Sequence, residues 1–224
     1  MLQPLGKDIW SFSYQTTLAG IHFDCTSFII QLEGKLAVIS PGRWEDALLK
    51  PIQKLGEVAF LIAPNAFHHM NIATWKEKFP QAELWGVKAL EKKRPDLKFD
   101  HFLKDQDQPF GPSLNFYPLL GASAVSEVVF YHPISQSLIL TDLLFNVSKV
   151  RGVVTNLFFS LYGINKKLGM SRLFKFTIKD KAKFSQAIDQ ILELDFTQVL
   201  INHGDNLTDG AKLKFREALK WLKR

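Results

Sequence analysis

A chain of 224 residues that is 46% hydrophobic and 22% charged can bury one large core or two small ones. No Gly/Ser/Pro-rich linker divides it, so one domain over 1–224 is expected, and the single cysteine, Cys25, excludes an intramolecular disulfide and a Cys-based zinc cluster. The formal charge of +6 is read as dispersed, over a basic terminal helix and the Lys92-Lys93-Arg94 run, with no interleaved aromatics, and no nucleic-acid partner is expected.

The first residues carry no basic stretch followed by an apolar one, and the apolar stretch 152–164 is broken by Thr155, Asn156 and Ser160. It is too short for a bilayer, which needs about 20 apolar residues. A cytoplasmic protein with no membrane partner is expected.

Residues 27–32 and 35–40 are apolar runs joined by Glu33-Gly34, a two-residue link that predicts a hairpin. Ala47, Leu48, Pro51, Ile52 and Leu55 form a helical stripe over 44–55, ended by Gly56. A strand over 58–63, a helix up to Lys78 and a short strand over 83–87 follow, then a polar, Pro-containing loop over 96–115. Strands over 127–131 and 137–141 flank a turn at Pro133-Ile134-Ser135-Gln136. Residues 145–176 resist assignment. Their aromatics suit either a cap over a site or a surface that packs on a neighbour. Asp180 can N-cap a helix bearing Phe184, Ala187, Ile188, Ile191 and Leu192. A strand over 198–202 and a helix with Ala211, Phe215, Ala218 and Leu222 on one face close the chain.

Three of these apolar runs end in polar residues. Val58-Ala59-Phe60-Leu61-Ile62-Ala63 leads into His68-His69, Ser137-Leu138-Ile139-Leu140-Thr141 into Asp142, and Gln198-Val199-Leu200-Ile201-Asn202 into His203-Gly204. Short runs of this kind read as buried strands, and α/β sheets build sites just beyond strand ends. Three imidazoles and a carboxylate suit a divalent transition metal such as zinc or iron. Each residue also has an ordinary structural reading, a helix-end pair for the histidines and a turn cap for Asp142.

The order of elements predicts an αββα sandwich. Leu36-Ala37-Val38-Ile39-Ser40-Pro41, Ala63-Pro64-Asn65 with His68-His69, Trp75 with Phe79-Pro80-Gln81-Ala82, Glu127-Val128-Val129-Phe130, Thr141-Asp142-Leu143-Leu144-Phe145-Asn146 and His203-Gly204 together resemble the metallo-β-lactamase fold, and within it the DUF4336 group. The resemblance covers residues from about 27 to the end.

It implies a pared-down site. The superfamily motif His-x-His-x-Asp-His falls on Pro64-Asn65-Ala66-Phe67-His68-His69, and the Gly-His-Thr motif on Gly121-Ala122-Ser123. All three ligands of the first metal position are thereby lost. The second keeps His69, Asp142 and His203 and gains His68 in place of an aspartate. The expectation is one Zn or Fe ion per chain held by His68, His69, Asp142 and His203, with no catalytic residue assigned. A hydrolase-like activity on a small ester, phosphoester or thioester is implied, the alternative being a catalytically silent binding or scaffold protein. A homo-oligomer stays open. Glu127, His132 and Ser135 fit the DUF4336 pattern without an evident role, and His132, before Pro133, reads as structural.

Overall fold

In the computed structural model, which describes residues 1–104 and 109–223, the chain begins with two strands outside the elements expected above. β1 (Gln3–Gly6) and β2 (Ile9–Leu18) pair antiparallel, and β2 runs beside β3 (Ile21–Leu32) along its whole length. Trp10, Phe12 and Tyr14 alternate with Ser11, Ser13 and Gln15 along β2, and Ile9 and Phe12 are buried in the core. Glu33 and Gly34 both take positive φ, 47° and 88°, and turn β3 into β4 (Lys35–Ile39) as expected of this link.

The helix expected over 44–55 is shorter. A 3-10 turn at Asp46–Leu48 precedes α1 (Leu49–Leu55). Pro51 has no N–H to donate to the preceding turn, so it is tolerated only in the first turn of α1. Next come β5 (Glu57–Ile62), α2 (Ile72–Lys78), β6 (Glu83–Gly86), α3 (Ala89–Lys93) and β7 (His101–Phe102). β1 to β7 form one sheet in sequence order, antiparallel up to β4 and parallel from β4 to β7. Within the loop expected over 96–115, residues 105–108 lie outside the described residues.

The second sheet contains β8 (Asn115–Pro118), β9 (Val128–His132) and β10 (Ser137–Leu140). β9 and β10 are joined through a left-handed Gln136. The segment 145–176 folds as β11 (Phe145–Asn146), α4 (Val153–Leu161), β12 (Leu168–Gly169) and α5 (Arg172–Thr177). The Asp180 carboxylate accepts from the Lys183 N–H at 3.0 Å and starts α6 (Lys181–Leu192), while β13 (Gln198–Ile201) and α7 (Ala211–Leu219) complete the chain. The sheet order is β13-β10-β9-β8, with β13 parallel to β10 and Leu140 level with Ile201. The residues that follow those two strands therefore emerge side by side.

Side chains in the second sheet alternate between two cores. Phe130, Ile139 and Leu200 face the first sheet, whereas Val129, Leu138, Leu140, Val199 and Ile201 face α6 and α7. Phe184 and Phe215 anchor those helices and are fully buried, so truncating either to alanine costs about 3–5 kcal/mol. The layering is helix, sheet, sheet, helix. No helix among the described residues is long and apolar enough to cross a membrane.

Candidate metal centre

The site is assembled around one buried amide. The chain leaves β5 through Pro64, whose carbonyl accepts from Val128 N–H of β9 at 3.0 Å, so this loop stitches the two sheets together. Asn65 is fully buried. Its Oδ1 accepts from the backbone N–H of Phe67 (2.7 Å) and of His68 (2.8 Å), an Asx turn that sets the direction of His68. Its Nδ2 lies 2.8 Å from Asp142 Oδ2, 2.6 Å from Glu127 Oε2 and 3.1 Å from Thr141 Oγ1.

Glu127 supports Asp142 from below. Its Oε1 accepts from the backbone N–H groups of Thr141 (2.9 Å), Asp142 (3.0 Å) and Leu143 (3.4 Å) as β10 ends. Complete burial pushes its carboxyl up to about 7, Asp142 adds to the rise, and the bonds from Asn65 and Thr141 oppose it.

His203 is fixed from several sides. The Asn202 amide before it is buried and donates to the Thr26 carbonyl and to Ser40 Oγ (3.2 Å). Gly204 after it has φ +117°, and a Cβ there would sit 2.1 Å from the Asn146 carbonyl oxygen, so glycine is required. The Phe145 ring stacks on the imidazole at 5.0 Å and 6°. His203 Nδ1 lies 3.3 Å from the Asp24 carbonyl, which can only accept, so a proton on Nδ1 serves that contact and Nε2 is the nitrogen facing His68 and Asp142. On the other wall, His68 Nδ1 lies 2.7 Å from Ser40 Oγ.

These supports bring three donors together. His68 Nε2 and His203 Nε2 are 3.3 Å apart, His68 Nε2 is 3.3 Å from Asp142 Oδ2, and His203 Nε2 is 3.4 Å from Asp142 Oδ1. Among the described residues this triad forms a group able to hold a metal ion. A tetrahedron with zinc–ligand distances of about 2.0–2.1 Å has edges of about 3.3–3.4 Å, so each of these contacts matches the span of two ligands on one ion, the carboxylate turning a different oxygen to each imidazole. Two imidazoles, a carboxylate and a second ring nitrogen held by a backbone carbonyl are the donor set that zinc or iron takes. The residues fit such an ion.

Electrostatics agree with a site built for positive charge. Burial alone would raise the Asp142 carboxyl, but His68 and His203 facing it hold it well below the usual carboxylate range. For His203, burial opposes the charged ring, while the Cys25 thiol and Asp142 outweigh it and push the imidazole up to about 10. A divalent ion would take the place of that proton.

Of the four expected ligands, the structure brings together His68, Asp142 and His203. His69 turns the other way. Its Nδ1 lies 3.0 Å from an Arg94 guanidinium nitrogen, and burial, aided by Lys93 and Arg94, pushes the ring down to about 4. Ala66 and Ala122, which the resemblance set against motif histidines, are buried and their side chains offer no donor, and neither does that of Pro64. His132 lies outside the triad, its Nδ1 2.8 Å from Ser135 Oγ. The sequence reading missed Asn65 and Ser40 as supports. A polar residue between an apolar strand and the first ligand was the available signal.

Above the triad lies a cavity of about 320 Å³. Its walls are mostly apolar, with Phe23, Pro41, Phe145, Phe158 and Phe174 among them, and Tyr14 and Cys25 near the floor. Burial, with Cys25 beside it, keeps the Tyr14 phenol protonated well above its ordinary range.

No family model matches the sequence, and neither does any curated protein. Among solved structures, a metallo-β-lactamase from Pontibacter korlensis is 14% identical with a TM-score of 0.68, over 100% of this chain and 99% of its own. A putative diflavin flavoprotein A 5 fragment from Nostoc sp. PCC 7120 is also 14% identical, with a TM-score of 0.70 over 100% and 96%. A metal-soaked Flv1 flavodiiron core from Synechocystis sp. PCC6803 reaches 15% and 0.68, covering 100% of this chain and 60% of that one. At these identities the likeness establishes the fold, and the fold of this chain is that of the metallo-β-lactamases.

Proposed function

We propose that the chain is a metal-dependent, hydrolase-like protein that holds one Zn or Fe ion on His68, Asp142 and His203 and acts on a small ester, phosphoester or thioester with an apolar part. The observation that carries this reading is the convergence of His68, Asp142 and His203, with one ligand atom of each within 4.8 Å of the others, on the lining of a largely apolar cavity. When bound, the ion would supply Lewis acidity toward an acyl or phosphoryl oxygen. The protein's own share is orientation: Asn65 and Glu127 hold Asp142, Ser40 and Asp24 hold the two imidazoles, and the aromatic walls exclude water from the apolar part of a substrate.

The site is read as degenerate and mononuclear because Pro64, Ala66 and Ala122 stand where the superfamily motifs have imidazoles. Kinship with the DUF4336 group, on the ordered motif series, and a cytoplasmic setting are parts of the same proposal. The same loss of donors favours a second reading, a catalytically silent binding protein. Elemental analysis of protein purified without a metal-affinity tag, with a screen of p-nitrophenyl esters, decides between them. About one equivalent of metal with ester turnover, both lost in Asp142→Ala, supports the first reading. One equivalent without turnover on any ester, or no metal after reconstitution with zinc or iron, overturns the first reading and supports the second.

A further inference from the structure

The segment 143–179 carries seven basic residues and no acidic one. With 28 basic and 22 acidic residues in the whole chain, the remainder has 21 and 22, a net charge of −1. Segment 143–179 is one of two basic segments, residues 210–224 carrying six basic residues and one acidic.

The same segment holds six of the thirteen large apolar side chains that the fold leaves exposed among the described residues. α4 buries Thr155 and Phe159 on its inner face and turns Val153, Val154, Leu157 and Leu161 to the outside. On a helical wheel those four span roughly 100°, a continuous stripe opposite the buried face. Val153 is 85% exposed and Leu157 71%. α5 starts at the end of α4, where Arg172 N–H donates to the Tyr162 carbonyl at 2.9 Å, and it adds Leu173 and Phe176, the latter 75% exposed. A helix that is apolar on both faces needs a second apolar phase outside the protein.

Charge identifies that phase. Lys149, Lys166, Lys167, Arg172 and Lys179 are exposed around the apolar stripe, and the Lys179 ammonium lies 4.5 Å from the Phe176 ring. Asp24 of β3 reaches Arg151 at 3.9 Å and offsets one charge of the seven. An apolar stripe bordered by lysine and arginine is the pattern of a helix lying in the interface of an anionic lipid layer. A second copy of this chain would bring an identical basic border against its own.

The patch is also continuous with the cavity. Phe158 of α4, Tyr162 just after it, and Leu173, Phe174 and Thr177 of α5 line its walls, and the exposed Leu18, Phe67 and Met70 line it too. We propose that α4 and α5 form a docking surface for an anionic lipid layer, and that the cavity takes from that layer an amphiphile whose apolar tail lies between the two helices. The docking stands on the patch alone, while the amphiphile as substrate rests on the function proposed above. This departs from the expectation of no membrane partner, which considered only bilayer-spanning segments and the charge of the chain as a whole.

Flotation with vesicles of phosphatidylcholine alone, or with a third of it replaced by phosphatidylglycerol, tests the docking surface on the intact chain. Each basic residue near an anionic surface strengthens binding roughly fivefold, so three of them facing it give about a hundredfold preference. The expected result is at least tenfold more protein on the anionic vesicles, reduced by 0.5 M salt and lost in the double variant Leu157→Asp, Leu161→Asp with an unchanged circular dichroism spectrum. Asp142→Ala should float like the unaltered protein, so loss of the metal site and loss of docking are read separately. Equal binding to both vesicle types, or undiminished binding of the double variant, overturns the proposal. So does a dimer in sedimentation velocity that the double variant dissociates while neither protein floats.

Discussion

Replacing Asn65 with alanine removes the amide that connects His68 to Asp142. Two of its contacts are to the carboxylates of Glu127 and Asp142, and two are from the backbone N–H groups of Phe67 and His68. Bonds to charged groups contribute about 1.5–3 kcal/mol each and neutral ones about 0.5–1.5, so the lower ends of those ranges add to about 4 kcal/mol. The lower ends are the right choice, because bonds that share one network are not additive. For a chain of this size 1 kcal/mol moves the melting temperature by about 2–4 °C, which predicts a fall of roughly 8–16 °C in Asn65→Ala. Losing the support of Asp142 should also weaken zinc binding about 10–100-fold, as seen when groups behind a metal ligand are removed. Differential scanning calorimetry of the apo protein and a competitive zinc titration read the two effects. A melting temperature within about 2 °C of the parent, with unchanged zinc affinity, would show that Asn65 does not organise the site.

His68→Ala, Asp142→Ala and His203→Ala should each abolish tight zinc binding in a calorimetric titration of the apo protein, whereas His69→Ala should stay within a few fold of the parent. Retention by His203→Ala and loss by His69→Ala would reverse the ligand assignment. Zinc affinity should fall steadily as pH is lowered, because protons and the ion compete for the same imidazole lone pairs, and an affinity unchanged between about pH 8 and about pH 5 would count against His68 and His203 as ligands. Gly204→Ala should lower stability by several kcal/mol, since its Cβ would sit 2.1 Å from the Asn146 carbonyl oxygen, and a melting temperature equal to the parent's would refute that close approach. Nitrocefin with added zinc should show no turnover above background, because Pro64, Ala66 and Ala122 supply no donors for an ion that would polarise a lactam carbonyl.

Those predictions rest on parts of the molecule that the sequence revealed unevenly. The ends of β10 and β13 were legible, because runs buried on both faces stop abruptly at Asp142 and His203, and parallel pairing brings the two together. The choice between His68 and His69 was not legible. Neighbouring residues in a loop face different ways, and the Asx turn at Asn65 decides which of them faces Asp142. β2 was legible yet passed over, since Trp10, Phe12 and Tyr14 alternate with Ser11, Ser13 and Gln15 at the period of a strand. The segment 145–176 gave no clear period because α4 is apolar on both faces.

The passage of the chain from β5 across to the second sheet has a thermodynamic corollary. His68 belongs to the loop after β5, while Asp142 and His203 follow strands of the other sheet, so a single ion would be gripped by both halves of the sandwich. Separating the sheets would then mean releasing the ion, and free metal in the surroundings becomes a variable of fold stability. At a free concentration a hundred times the dissociation constant, that coupling adds about 2.7 kcal/mol. A cell that starves the protein of metal would loosen the clasp between the sheets as well as silence the site.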